Sequence, residues 1–599
     1  NSHSPAMACS PCHNTPSISM ISACISEKGK VMINPVFQQK KVQIIRDLLI
    51  YLLLVGMLSI TGCNTKRLGT VAIATAHPLA TQAGFEILEK GGNVFDAAVA
   101  ISATLAVVEP SGSGLGGGGF WLLHRESDDL DVMLDGREKA PSAATKDMYF
   151  NADGKGQRTR SLNGALAAGI PGMPAAIVHL SKHYGQLSLA DNLQPAIRIA
   201  EQGFLIGERH RKLLAFRQKV LLNDLATAAI FLDNGNIPIK GTRLKQIHLG
   251  KTLRKIAAKG RAGFYQGSVA KSLVNAVNNQ GGIWTLEDLL NYQVIERKPI
   301  TSTYKHIKIT SASLPSSGGI VLSEALNILE TIDLNAVDKL TRKHLIVEAM
   351  RRAYHDRALY LGDSDFVTVP IKRLLDKNYA QGLASTLRQD SALPSAYLSG
   401  QVDAKQGGRH TTHFSIMDKE GNRVAATLSI NYPFGAGLIA GDTGVLLNDE
   451  MDDFVSAENS QNGYGLVGGA ANEIAPGKRM LSSMTPTFLE DETRIAVLGT
   501  PGGSRIISMV LLATLDFSEG HNPASWVRVK RFHHQYIPDQ IFYEKNGLTV
   551  NEIEQLHALG HQLKPRYNYG NMQAVQLNKN NKQLSAASDP RGEGEARVQ

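Results

Sequence analysis

The chain has 599 residues, 43% apolar and 20% charged, a globular composition that sets aside fibrous and disordered classes and is long enough for a large core or several packing units. Its formal net charge of +9 comes from scattered Lys and Arg without a long basic run, and aromatics are only 6%, so no nucleic-acid partner is expected. All four cysteines, Cys9, Cys12, Cys24 and Cys63, lie within the first 63 residues, which removes disulfide frameworks, cysteine nucleophiles, zinc–thiolate sites and iron–sulfur clusters from the rest.

Residues 1–31 are polar and unpatterned and read as upstream or added sequence. Lys40, Lys41 and Arg46 then precede an apolar run from Leu48 to Ile60 that ends in Ile60-Thr61-Gly62-Cys63. Basic, then apolar, then small is the pattern of a signal peptide, expected over residues 32–62; the run falls short of the ~20 residues that a membrane-spanning helix needs. Its ending resembles the bacterial lipoprotein box, in which the cysteine is lipidated and becomes the mature N-terminus, here Cys63. Asn64 in place of Asp implies, by the same resemblance, an exported protein in the periplasm anchored to the outer membrane.

Beyond Cys63, Thr70 to Thr75 reads as a strand and His77-Pro78 opens a helix that stops at Gly91-Gly92. An Ala-rich helix follows from Asp96. The glycine-dense stretch Ser111 to Gly119 leads into the strand Phe120-Trp-Leu-Leu; it lacks a Gly-Lys-Ser/Thr ending and strand-loop-helix order, so it reads as a close-packed loop and not a phosphate cradle. Residues from about 160 to 300 read mainly as helices, including Leu187 to Gly203 and Ser268 to Gly281, and Leu314-Pro-Ser-Ser-Gly-Gly-Ile opens another. From about 370 to 410 the periodicity is lost and the composition is that of a linker.

The linker ends at Gly407-Gly408-Arg409-His410, and Thr411 to Asp418 reads as a strand. Lys419-Glu-Gly-Asn422 turns the chain, and Arg423 to Asn431 returns as a second strand. A turn centred between residues 420 and 421 sets Thr411 opposite Ile430, flanked by Ser429 and Asn431 on one face. A threonine hydroxyl is a weak nucleophile, but on an N-terminal residue the α-amine, with a pKa near ~8, can serve as its base. That chemistry requires the His410–Thr411 bond to break, by attack of the Thr411 hydroxyl on the preceding carbonyl and hydrolysis of the ester. On spacing alone Thr411 is one more strand residue.

Longer motifs add to this reading: TTHFS from Thr411, NYPFGAGLIAGDTGVLLNDEMDDF from Asn431, YGLVGG from Tyr464, KRMLSSMTPT from Lys478, GTPGGSRII from Gly499, RFHHQ from Arg531 and Asp589-Pro590-Arg591. Upstream are TAHPLAT from Thr75, SGLGGGGF from Ser113, DGREKAPSAAT from Asp135, LPSSGGI from Leu314 and YLGDSDFV from Tyr360. The chain resembles the γ-glutamyltranspeptidase family over nearly all of residues 70–599.

The resemblance implies an α+β fold, the four-layer αββα sandwich of N-terminal-nucleophile hydrolases, formed jointly by a large subunit (63–410) and a small one (411–599) after self-cleavage. It implies that Thr411 is the nucleophile, that Ser429 supports it, and that Asn431 helps hold the amino end of the donor. Arg137 would take the donor α-carboxylate with help from Ser482 and Ser483, Glu450 and Asp453 would take the α-ammonium, and Gly502 and Gly503 would form the oxyanion hole. Tyr464 would belong to a lid. No cofactor and no metal are implied, and His533-His534, lacking a suitably spaced third ligand, reads as structural. The expected donors are glutathione and other γ-glutamyl compounds, and the acceptors water, amino acids or peptides. Two alternatives stand beside this: an N-terminal-threonine acylase acting on glutaryl β-lactams or poly-γ-glutamate, and an inactive surface lipoprotein that uses the fold for binding.

Overall fold

The computed structural model describes residues 69–398, 411–455, 462 and 465–599. The signal segment with Cys63, His410 before the expected cut, and the lid residue Tyr464 lie outside the described residues. No described helix is long and apolar enough to cross a membrane.

The chain enters through β1 (Val71–Thr75) and passes through α1 (Pro78–Glu89) and α2 (Val94–Val108) to the hairpin of β2 (Gly118–Arg125) and β3 (Leu130–Gly136). Helices α3 (Met173–Tyr184) and α4 (Leu189–Gln202) begin a mainly helical excursion that returns as β4 (Ile295–Arg297), β5 (Ile300–Tyr304) and β6 (Ile307–Ser311). Next come α5 (Gly318–Glu330) and the long α6 (Lys339–Tyr360), then β7 (Thr412–Asp418) and β8 (Arg423–Ser429). The last part holds β9 (Thr487–Glu490), β10 (Arg494–Gly499), α7 (Arg505–Ser518), β11 (Gln573–Asn578), β12 (Leu584–Ser588) and β13 (Glu595–Val598).

These strands make a seven-stranded sheet in the order β13-β1-β7-β8-β2-β3-β4 and a six-stranded sheet in the order β12-β11-β10-β9-β6-β5. Alternation along each strand decides what the sheets cover. Ile73, Trp121, Leu123, Leu134, Phe414, Ile416, Val424 and Ala426 share one core with α1 to α4. Their neighbours Ala72, Ala74, Phe120, Leu122, Met133, Met417 and Ala425 share another with the six-stranded sheet and α5 to α7. Helices, sheet, sheet and helices thus stack as four layers.

Three local readings change. Helix α2 starts at Val94 rather than Asp96, because the Asn93 side chain accepts from the N–H groups of Phe95 and Asp96, both at 2.9 Å, while Asp96 accepts from Asn93 N–H at 3.0 Å. The expected linker from about 370 contains short helices at Ile371–Leu374 and Lys377–Ala384, the second capped by Asp376, with Leu374 and Ala380 buried. The third change is the register of the β7–β8 hairpin. Thr412 pairs with Leu428 and Met417 with Arg423, which continues to Thr411 opposite Ser429 instead of Ile430. The turn has three residues, closed by Asp418 N–H to Asn422 O at 3.1 Å, and is centred on Glu420. Gly421 makes this possible with φ +122°, while the Asp418 carboxylate accepts from the N–H groups of Gly421 and Asn422. Strand β8 stops at Ser429 because Asn431 turns into the left-handed region at φ 67°.

Candidate active site

The two sheets open at the ends of β7 and β10, and one cavity there brings together Arg137, Thr411, Ser429, Asn431, Glu450, Asp453, Ser482, Ser483 and Gly503. Thr411, just ahead of β7, and Ser429, ending β8, lie opposite each other on the face turned toward the six-stranded sheet. Asn431 N–H donates to Ser429 Oγ at 2.7 Å and Asn431 Nδ2 donates to Asp449 O at 2.9 Å, which fixes both side chains. Behind them the glycine-dense loop packs against the hairpin backbone, where a Cβ on Gly117 would collide with Ser429 O.

Arg137 follows directly on β3, and its position is fixed from several sides. Its N–H donates to Asp135 Oδ1 at 3.0 Å, its Nε to Met480 O at 3.3 Å, and Tyr292 Oη donates to its carbonyl at 2.7 Å. One arm of the guanidinium is bonded to Glu450 and the other to Asp453 Oδ2 at 2.6 Å, with Glu138 at 3.7 Å. Burial opposes the Arg137 charge, but the three carboxylates of Glu450, Glu138 and Asp453 outweigh it and keep the guanidinium protonated. Burial likewise pushes Glu138, Glu450 and Asp453 above the usual carboxylate range, against the pull of Arg137. With the fork held in this way the cavity measures about 20 Å³. A guanidinium ringed by carboxylates suits a ligand end that carries both an anion and a cation.

The serine pair is set by the LPSSGG loop. Ser317 donates through its N–H (2.9 Å) and hydroxyl (2.7 Å) to Ser482 O, and Ser482 N–H donates to Pro315 O at 2.8 Å. Behind Ser483 stands a residue that sequence reading missed. Arg357, on α6 and buried, donates Nη2 to Ser483 Oγ at 3.2 Å and Nε to Ser317 Oγ at 2.9 Å. Burial lowers its pKa to about 10, so it stays charged at neutral pH, and it forms no ion pair among the described residues. The sequence offers no local signal for it: Arg357 is one of several charged residues of α6, in which all of His344 to Ala358 is buried. Glu109 was also missed. It bonds the Thr412 hydroxyl next to the nucleophile position, and burial pushes it up to about 7.

Gly503 lines this cavity, whereas Gly502 lines the larger one beside it, so the glycine pair forms the wall between them. Gly502 lies at φ +152° and Gly503 at φ +59°, and among the described residues no acceptor takes either N–H. His533 is bonded through Nδ1 to Ser508 Oγ at 2.5 Å and through Nε2 to Gln535 Oε1 at 2.8 Å, and His534 Nε2 lies 3.1 Å from Asp539.

The sequence model of the family described as Gamma-glutamyltranspeptidase matches residues 80–598. The chain belongs to the γ-glutamyltranspeptidase family. It is 39% identical over 524 residues to the glutathione hydrolase proenzyme of Escherichia coli, covering 87% of this chain and 90% of that protein. It is 41% identical over 493 residues to that of Pseudomonas sp. (strain A14), covering 82% and 85%. Among solved structures, the cephalosporin acylase of Bacillus halodurans superposes with a TM-score of 0.78 at 26% identity, over 89% of this chain and 96% of that one. The Helicobacter pylori γ-glutamyltranspeptidase superposes with a TM-score of 0.53 at 40% identity, over 55% of this chain and 95% of that one. As a member of this family the chain is an enzyme with the N-terminal-nucleophile hydrolase fold.

Proposed function

We propose that the chain is a proenzyme that breaks its own His410–Thr411 bond, and that Thr411 of the resulting 411–599 subunit then cleaves the γ-glutamyl amide of glutathione and related compounds. The observation that carries this is the one cavity holding Thr411 and Ser429 at one side and the Arg137–Glu450–Asp453 cluster with Ser482 and Ser483 at the other. A γ-glutamyl group has a carbonyl at one end and an α-ammonium and α-carboxylate at the other. The donor carboxylate takes over the Arg137 fork with hydroxyl bonds from Ser482 and Ser483, and its ammonium takes over Glu450 and Asp453, so the buried charges on both sides stay paired.

The Thr411 hydroxyl attacks the γ-carbonyl, giving its proton to the α-amine freed by self-cleavage, with Ser429 and the Asn431 amide alongside. The N–H groups of Gly502 and Gly503 bind the oxyanion. Collapse expels the amine, and water or an amino acid or peptide then attacks the γ-glutamyl ester to restore Thr411. No step calls for a cofactor. Arg137 together with Asp453 favours γ-glutamyl donors over glutaryl amides, which lack the ammonium; turnover of γ-glutamyl-p-nitroanilide against a glutaryl anilide separates the two.

The first test is denaturing electrophoresis with intact mass and N-terminal sequencing of wild type beside Thr411→Ala. The expected result is two wild-type fragments, the smaller beginning Thr-Thr-His-Phe, and an intact variant; a wild-type chain that stays whole would overturn the proposal. The segment Leu48 to Cys63 further supports export and lipid anchoring at Cys63. Cys63→Ser is expected to move the protein from the membrane pellet to the soluble fraction, and equal fractionation of the two would remove the anchor.

A further inference from the structure

Strand β7 carries the nucleophile at its loosely held end. Its ladder with β1 stops at Phe414 and its ladder with β8 stops at the pair Thr412–Leu428, so Thr411 lies beyond both. Once the bond to His410 is broken, the only covalent tether of Thr411 is its peptide bond to Thr412. Rotation about the single bonds beside that peptide would carry the hydroxyl and the α-amine out of line, and an end residue needs another hold to stay oriented.

Alternation along the strand sends the Thr412 side chain to the face opposite that of Thr411, the face of Phe414 and Ile416, into the core shared with α2. There its hydroxyl donates to Glu109, the residue that ends α2. Both residues are buried. The Glu109 carbonyl accepts from the N–H groups of Gly112 at 2.8 Å and Ser113 at 3.1 Å, which folds the glycine-dense loop back against the strand. Gly112 comes so close that a Cβ on it would stand 3.2 Å from Thr411 O and 3.5 Å from the Glu109 carboxyl carbon. The Thr411–Thr412 peptide is thus held by the Glu109 side chain and by the loop that the Glu109 backbone closes.

Packing alone does not call for a carboxyl here. Burial pushes Glu109 up; the Arg209 guanidinium, with Nε 4.0 Å away, and the Thr412 hydroxyl pull it down, and Glu593 pushes it up again. Arg209 stands at the edge of the larger cavity with Lys212, Arg505, Lys545 and Arg591. An apolar side chain would fill the same space without the cost of desolvating a carboxyl, so what Glu109 adds is the bond it accepts.

Resting on the function proposed above, we propose that Glu109 is a positioning residue for catalysis: by anchoring the Thr412 hydroxyl it keeps Thr411, freed from His410, in the orientation in which its α-amine reaches its own hydroxyl and that hydroxyl faces the donor carbonyl. Glu109 touches neither the donor nor the reacting atoms and lies outside the lining of the nucleophile cavity. It acts on the chemical step through Thr412 and has no part in the Arg137–Glu450–Asp453 cluster that recognises the donor.

The test uses the processed enzyme and γ-glutamyl-p-nitroanilide, with rates counted per processed chain so that misfolded material does not enter. Glu109→Leu and Thr412→Val each remove one side of the bond, and each is expected to lower kcat about tenfold while the donor KM stays within about twofold of wild type. Glu109→Gln and Thr412→Ser keep an acceptor and a hydroxyl, and are expected to restore kcat to within about threefold of wild type. The double variant Glu109→Leu/Thr412→Val is expected to lie within about twofold of the slower single variant, because both changes remove the same bond. Thr412→Val, which keeps the shape of threonine, carries the test if Glu109→Leu does not process. An unchanged kcat, losses that fall on KM, equal losses in Glu109→Gln and Glu109→Leu, or losses that multiply in the double variant would each overturn the positioning role while wild type still turns over the anilide. A wild type with no turnover of the anilide would overturn the function and the positioning role together.

Discussion

In the function proposed above, Arg137 and Arg357 stand on two sides of the donor's carboxylate end and differ in what they touch. Arg137 offers its fork to the cavity, while Arg357 reaches Ser483 from behind. A serine oxygen that accepts from a guanidinium keeps its own hydrogen for the cavity, so Arg357 both polarises that hydroxyl and adds a positive charge near the carboxylate site. Arg137→Lys keeps the charge but loses the two-point geometry, and kcat/KM for γ-glutamyl-p-nitroanilide is expected to fall by on the order of 100-fold. Arg357→Met is expected to raise the donor KM about tenfold with a smaller change in kcat, because it weakens recognition without touching the nucleophile. An equal loss in kcat with KM unchanged would show that Arg357 acts on the chemical step. Glu450 and Asp453 could be singled out only through the family motif, since an isolated acidic residue usually marks a solvated surface. Arg357 and Glu109 had no such motif reading, and what distinguishes them is burial beside Ser483 and Thr412.

At the level of elements, the β7–β8 hairpin was legible as two strands around a turn, and its register was not. The sequence Lys419-Glu-Gly-Asn422 permits a turn centred between residues or on one, and a slip of one residue moves every partner. Gly421 at φ +122° decides for the three-residue turn. Gly421→Ala is expected to destabilise the fold by about 1 kcal/mol in urea unfolding and to slow self-cleavage, because the same register sets Ser429 opposite Thr411. Unchanged stability with unchanged processing would mean that the register is held elsewhere, by the pairing of β8 with β2. The Asn93 capping box lay open in the sequence as Asn-x-x-Asp and would have started α2 at Val94. The helices inside 371–384 were hidden because each is short and rests on tertiary burial of Leu374 and Ala380.

At the scale of the whole molecule, burial between the layers keeps several histidines neutral. It lowers His413 to about 3, His533 to about 3 and His534 to about 4. A folded pKa below the unfolded value of about 6.5 means that the unfolded chain binds more protons, so this contribution is complete above about pH 6.5 and is lost as the pH falls. Glu109, raised by burial to about 7, has the opposite sign, losing its contribution as the pH rises from its ordinary range toward 7. Between pH 7 and pH 5 wild type is expected to lose about 1–2 kcal/mol more stability than His413→Gln in urea unfolding, because the glutamine cannot titrate. Equal losses would mean that His413 takes up its proton inside the fold.

The sequence by itself determined the strands, most of the helices, the glycine-dense loop and, through long motifs, the family with its αββα layering. These are written in local periodicity, turn chemistry and contiguous residue runs, all of which act over a few residues. Only the tertiary structure decided the hairpin register, the Arg357 charge behind Ser483, the Glu109 carboxyl beside Thr412, and the way Gly502 and Gly503 separate a narrow acidic cavity from a broad basic one. Each of these depends on which distant groups share a desolvated space, where a charge is favoured or opposed by neighbours that no local pattern names.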